Sequence, residues 1–194
     1  SYLSDKILTN FDLEKMVDTS DEWIVERTGI KERHIAPTGI TTSDMGSIAL
    51  KNAVDSAGIK PNDLDMIICA TVTPDYPLPA TATIIQNKLG ATNRCAAFDI
   101  SAACAGFLFG MNIADSFIRQ GFAKNIGVIG TEILTRMVDF EDRTTCVLFG
   151  DGAGAVVVTG DTDDRGVLSS HLYSDGTLSN ALIIPGGGSA MPTT

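Results

Sequence analysis

Between Asp99 and Asp115 the chain carries no charged residue, and the run from Ile100 to Ala114 is built mainly of Ala, Gly, Leu, Phe and Met. Such a run is too long for one ordinary strand and too short to span a membrane. It reads as a short strand over Ala96–Ile100, a tight turn, and a helix apolar on all sides. A helix of that kind is expected in the middle of a sizeable protein. Cys104 stands at its start. Unpaired helical N–H groups and the helix dipole favour a thiolate there, while apolar burial opposes it. Ala102, Ala103, Ala105 and Gly106 are small enough to leave the sulfur open to a thin substrate arm. The competing reading is a structural cysteine acting as a small hydrophobe.

The rest of the chain surrounds this run with alternating strand and helix signals. A short helical pattern covers 12–17. Thr19-Ser20-Asp21-Glu22 has the form of a capping box, and it opens a helix that Gly29 ends. Thr42-Ser43-Asp44 caps a second helix with apolar positions at Met45, Ile48, Ala49, Ala53 and Ala57, stopped by Gly58 and Pro61. Buried strands are expected over 65–72 and 125–131, a proline-rich loop over 73–79, and a helix over Thr81–Leu89. Further strands are expected over 145–149 and 153–159, flanking a glycine turn, and over 166–173. This alternation predicts an α/β fold with mainly parallel pairing.

Composition narrows the function. A net charge of −10 over 194 residues argues against nucleic acid as a general partner, and an anionic ligand would need a local basic patch. The basic island over 27–34 offers one. The four cysteines, Cys69, Cys95, Cys104 and Cys146, show no CxxC pair and no histidine at ligand spacing, so no metal site is expected. Cys69 and Cys146 read as core. No apolar run reaches membrane length. The opening Ser1-Tyr2-Leu3-Ser4-Asp5-Lys6 lacks the pattern of a secretory signal, and free thiols agree with a cytoplasmic location. The Gly-rich stretch 185–189 reads as a linker, so one piece of a longer protein is expected.

Two motifs have a plain reading and a sharper one. Gly150-Asp151-Gly152-Ala153-Gly154-Ala155 fits the permissive dinucleotide pattern, but Val156-Val157-Val158 follows where a helix is required. It reads as a tight turn that permits close backbone packing. Trp23 and Arg27 share a helix face, either as an anchor with a snorkelling arginine or as a stacking surface and cation for a nucleotide. His34 and His171 are weak candidates.

Three segments together carry a resemblance: Asp18-Thr19-Ser20-Asp21-Glu22-Trp23-Ile24-Val25-Glu26-Arg27-Thr28-Gly29-Ile30, the Cys104 run, and Phe149-Gly150-Asp151-Gly152-Ala153-Gly154-Ala155. With them the chain resembles the β-ketoacyl-acyl-carrier-protein synthase III family. The resemblance implies a thiolase-like fold, layered α-β-α-β-α and usually homodimeric, of which residues 1–184 would be the first half without its opening strand. Residues 185–194 would begin the connection to the second half. The implied activity is decarboxylative Claisen condensation of a short acyl-CoA with malonyl-acyl-carrier-protein. Coenzyme A enters as substrate, and no cofactor is implied.

Residue by residue, the resemblance implies that Cys104 is the acyl-accepting nucleophile. Trp23 and Arg143 match the pair that sandwiches the adenine of coenzyme A, and Thr19 and Arg27 match neighbouring coenzyme contacts. Leu134, Phe149 and Leu182 match the acyl-pocket lining, and Leu78 matches a residue that reaches the partner's pocket in a dimer. The smaller Leu78 admits longer or branched primers. Arg27, Lys31 and Arg33 are candidates for docking the acidic carrier protein. The family's catalytic His and Asn have no counterpart in this sequence, so this piece is expected to self-acylate at most. A hydroxymethylglutaryl-CoA synthase type, a condensing enzyme of secondary metabolism, and a noncatalytic CoA-binding half are the alternatives.

Overall fold

The computed structural model describes residues 1–162 and 166–192. Thr193 and Thr194, the end of the expected connection, lie outside the described residues. The elements in chain order are β1 (Ile7–Thr9), α1 (Asn10–Leu13), α2 (Asp21–Thr28), β2 (Glu32–His34), α3 (Thr42–Ser56), β3 (Met66–Ala70), α4 (Thr81–Leu89), β4 (Ala96–Ile100), α5 (Gly106–Arg119), β5 (Asn125–Ile133) and β6 (Asp151–Thr159). The architecture is α/β, as the alternation predicts.

A four-stranded sheet with order β4-β3-β5-β6 forms the centre, and β1 and β2 make a separate antiparallel pair. β3 runs parallel to both of its neighbours, while β6 runs antiparallel to β5. Every residue of β3 is buried, as a continuous apolar run in a strand covered on both faces requires. Alternate residues face opposite layers. Ile67 and Cys69 pack with Leu50 and Val54 of α3 and Ile85 of α4. Met66 and Ile68 pack with Ala114 of α5, and Phe107 and Met111 lie against the same cluster.

Helix α5 reaches the sheet through Gly106, Gly110 and Ala114, its buried residues. A Cβ at Gly106 would come within 3.0 Å of the Ala70 Cβ, and one at Gly110 within 2.9 Å of a Val128 methyl. Burial is therefore confined to one stripe. Leu108 is 64% exposed, so the expected helix buried on all sides is not what this chain forms.

Helix starts follow local chemistry, with adjustments. Thr41 and Asp44 form the capping box of α3, one residue earlier than expected. At α2 the cap is Ser20, whose hydroxyl accepts from the Trp23 N–H, and not Thr19. Ala80 gives α4 no side-chain cap. Asp99 on β4 replaces it, accepting from the Thr81 and Ala82 N–H groups at 2.6 and 2.7 Å.

Three expected elements differ. The glycine segment is no turn: β6 starts at Asp151 and runs through it, because nine residues of β5 offer a continuous antiparallel partner. The close packing expected there is present, since a Cβ on Gly150 would lie 3.2 Å from the Arg33 Cβ. Residues 145–149 form turns instead of a strand, although Cys146 and Val147 are buried as expected. No strand forms over 166–173. Among the described residues no helix is long and apolar enough to cross a membrane.

Candidate active site

The sheet delivers Cys104 to an exposed position. β4 ends at Ile100, and Ala103–Ala105 form one 3-10 turn immediately before α5. The cysteine is exposed, not sealed within a helix. Ala103 adopts φ 44°, in the left-handed region that a residue with a Cβ occupies only at a cost of about 1 kcal/mol or more. Asp99 ties the strand before this turn to the start of α4, so the chain enters the turn from a fixed point.

A cavity of about 640 Å³ opens beside the sulfur. Its wall includes Ala103 and Cys104, together with the expected Leu134, Phe149 and Leu182. The structure therefore brings these three to the cysteine. Leu78 does not join them: it is 84% exposed in the proline loop, away from the cavity wall. Met137, Val138, Ile183 and Ile184 also line the cavity and were missed. They lie in turns and irregular backbone, where no periodicity marks an inward face.

Glu132, near the end of β5, is another missed residue of the wall. Burial pushes its carboxyl above the usual range. Hydrogen bonds from the Thr73 hydroxyl, the Val72 N–H at 2.8 Å, the Thr71 hydroxyl at 3.3 Å and the Thr73 N–H at 3.1 Å oppose that rise without cancelling it. One side chain thus fixes the path of the chain as it leaves β3.

The candidate coenzyme residues form a second group. The Arg27 guanidinium lies 4.4 Å from the centre of the Trp23 ring, and that of Arg143 lies 5.3 Å from it. Both distances suit cation–π contact. Arg143 also donates to the Asp18 carbonyl at 2.6 Å. Among the described residues the Thr19 hydroxyl is buried without a hydrogen-bond partner, an uncommon state that a ligand acceptor or donor would relieve. Asp142 and Thr145, which flank Arg143, belong to the wall of the Cys104 cavity, so the two groups share one border.

The basic island does not survive as a surface. Arg27 and Lys31 are exposed, but Arg33 is 4% exposed. Its guanidinium donates to the Val147 carbonyl and, at 2.6 Å, to Asn10 Oδ1. Arg33 therefore cannot dock a carrier protein. His34 Nδ1 is taken up by the Ser4 carbonyl at 2.5 Å. Among the described residues no cluster of His, Cys, Asp and Glu could hold a metal.

Residues 98–176 match the family described as 3-oxoacyl-[acyl-carrier-protein (ACP)] synthase III. The whole chain is 57% identical to the β-ketoacyl-[acyl-carrier-protein] synthase III of Caldanaerobacter subterraneus subsp. tengcongensis, over 58% of that protein. Among solved structures, the 3-oxoacyl-[acyl-carrier-protein] synthase III of Aquifex aeolicus VF5 superposes with a TM-score of 0.88 at 55% identity, covering 91% of this chain and 57% of that one. The synthase III of Thermus thermophilus gives 0.87 at 38% identity, covering 92% and 55%. The fold is thiolase-like on this likeness, and the chain spans between half and three fifths of the length of these relatives.

Proposed function

We propose, on the premise that this chain belongs to the β-ketoacyl-[acyl-carrier-protein] synthase III family, that the whole protein starts fatty acid chains by condensing a short acyl-CoA with malonyl-acyl-carrier-protein. The observation that carries the reading is Cys104 exposed at the wall of an apolar cavity, with the Trp23–Arg143 group on its border. The Cys104 thiolate attacks the thioester carbonyl. A carbon–sulfur bond forms to the enzyme, and coenzyme A leaves as its thiolate. The Cys104 backbone N–H is one donor to the tetrahedral oxyanion, and losing such a donor costs about 3 kcal/mol of barrier. Malonyl-acyl-carrier-protein then loses CO2, and its carbanion attacks the acyl carbon and frees the cysteine.

The family resemblance supports the following roles. Trp23, Arg27, Arg143 and Thr19 hold the nucleotide end of the coenzyme. Leu134, Phe149 and Leu182 receive the acyl group, and Leu78 closes the pocket of a second protomer in a cytoplasmic homodimer. The exposed Arg27 and Lys31 face the acidic carrier protein.

Intact-mass spectrometry tests the first step. Incubation of the whole protein with acetyl-CoA is expected to add one acetyl group at Cys104, and Cys104→Ala is expected to take up none. A wild-type protein that stays unmodified under saturating acetyl-CoA would reject the reading. The 194-residue chain alone is expected to load but not to condense, and β-ketoacyl product from it would overturn that division of labour.

A further inference from the structure

Arg33 poses a problem that the acyl-transfer chemistry does not answer. A guanidinium with 4% exposure normally sits against a carboxylate. Here Nε and Nη2 donate to the Val147 carbonyl, and Nη1 donates to the side-chain oxygen of Asn10. Among the described residues it makes no salt bridge. Burying a charge this way is costly, and in some proteins such groups are retained because they fix geometry.

The geometry they fix is specific. Asn10 is fully buried. Its amide nitrogen donates to Asp21 Oδ1 and to the Ile30 carbonyl, both at 2.8 Å. Asp21 is the first residue of α2, and Ile30 lies just past its left-handed Gly29 cap. One amide group therefore grips both ends of the helix that carries Trp23 and Arg27. The oxygen of the same amide receives Arg33, whose other hydrogen bonds end on Val147, four residues beyond Arg143. Ile24 of α2 packs with Cys146 and Val147 in one buried cluster, with Trp23 at its edge. The polar chain Asp21–Asn10–Arg33–Val147 thus runs beside an apolar contact between the same two segments.

We infer that Asn10 and Arg33 are positioning residues for the coenzyme clamp: they set the spacing between the Trp23 ring on α2 and Arg143 on the 139–147 segment. The inference rests on the clamp assigned under the proposed function. It adds two residues that touch no substrate, and it turns an apparent surface cation into an internal strut.

Asn10→Asp is the most informative variant. Its carboxylate still accepts from Arg33 and gives that guanidinium a charge partner, which favours folding. It cannot donate to Ile30, and it repels Asp21. Arg33→Lys is the second variant, keeping the charge but losing the forked contact to Val147. Acylation of Cys104 in the whole protein is followed by mass spectrometry with two donors: acetyl-CoA, and S-acetyl-N-acetylcysteamine, which carries no nucleotide. Both variants are expected to raise the half-saturating concentration of acetyl-CoA about tenfold, the loss of one charge-assisted hydrogen bond's worth of binding. Loading from the nucleotide-free donor is expected to stay within about twofold of wild type, since the acyl pocket is untouched. Equal slowing with both donors would reduce Asn10 and Arg33 to general stability and overturn the inference. Trp23→Ala separates the two levels. If it weakens acetyl-CoA use and the Asn10 and Arg33 variants do not, the inference fails alone. If Trp23→Ala has no effect on acetyl-CoA use, the clamp itself is rejected and the inference with it.

Discussion

Helices α3 and α5 lie on opposite faces of one sheet, and their burial runs against their composition. α3 is the more polar, with Asp44, Lys51, Asn52 and Asp55 among its residues, yet Met45, Ala49, Leu50 and Val54 are all fully buried. α5 is almost wholly apolar up to Asp115, yet its buried residues are Gly106, Gly110 and Ala114. The difference lies in what stands opposite. α3 is enclosed by the sheet, by α4, and by the cluster of Ala36, Ile133 and Ala153 with Tyr2 and Ile40. Among the described residues, the small-residue stripe of α5 meets only the sheet. Apolar composition states what a helix can bury, whereas its neighbours decide what it does bury. Cys104 sits at the start of the helix that these 194 residues leave less enclosed.

The largest effects should fall on the enclosed side. Leu50→Ala removes a fully buried side chain whose methyl lies 2.7 Å from where a Gly127 Cβ would stand, so no spare room exists to refill the gap. A loss of about 3 kcal/mol is expected, read as a lower urea midpoint with an unchanged slope. Gly110→Val follows at about 2 kcal/mol, because the added carbons meet Val128 and lift α5 from the sheet. Equal losses from the two would erase the contrast between the faces. A neutral Gly110→Val would mean that α5 is not seated on its small-residue stripe.

Those two sites also separate what could be read from the chain from what could not. β3, α3, α4 and β5 follow from apolar runs and caps lying within a few residues of one another, and they formed near the expected bounds. Small neighbours marked Cys104 in the chain itself, whereas Leu134, Phe149 and Leu182 of its cavity came only through the family resemblance. The glycine segment misled because turn propensity is local, while its pairing with β5 is not. Residues 145–149 misled because their apolar side chains pack with Leu13 and Ile24, which gives a turn a core to fill. Arg33 was misplaced for a similar reason: its acceptor Val147 lies 114 positions away. Glu132 gathers donors from 59 to 61 positions away, and no short pattern announces such a meeting.

A smaller effect is expected at the entry to α3. Lys88 Nζ lies 2.6 Å from Asp44 Oδ1, which joins α4 to the α3 cap. Burial alone would raise the Asp44 carboxyl, but the Lys88 ammonium and the Thr41 N–H and hydroxyl outweigh it and hold it below the ordinary range. A folded-state pKa below the unfolded one gives stability that is present above the ordinary aspartate range. That stability is lost as pH falls through the folded value. Lys88→Met should therefore cost about 0.5–1 kcal/mol near neutral pH, with the gap from wild type closing in acid. A gap that widens in acid would reverse the assigned sign.

The smallest expected effect is the sharpest probe of the contrast. Leu108 lies on the outward face of α5 and is 64% exposed, so Leu108→Ser in the 194-residue chain should shift stability by no more than about 0.5 kcal/mol. Leu50→Ala, on the sealed face, provides the scale. The same substitution in the whole protein asks whether further chain covers the outward face. If it does, the loss rises toward about 2 kcal/mol, the value for removing a well-buried leucine side chain from water. A loss of that size already present in the 194-residue chain would mean that α5 is enclosed on both sides without help. Cys104 would then owe its exposure to the strained turn at Ala103 alone, and not to the open side of its helix.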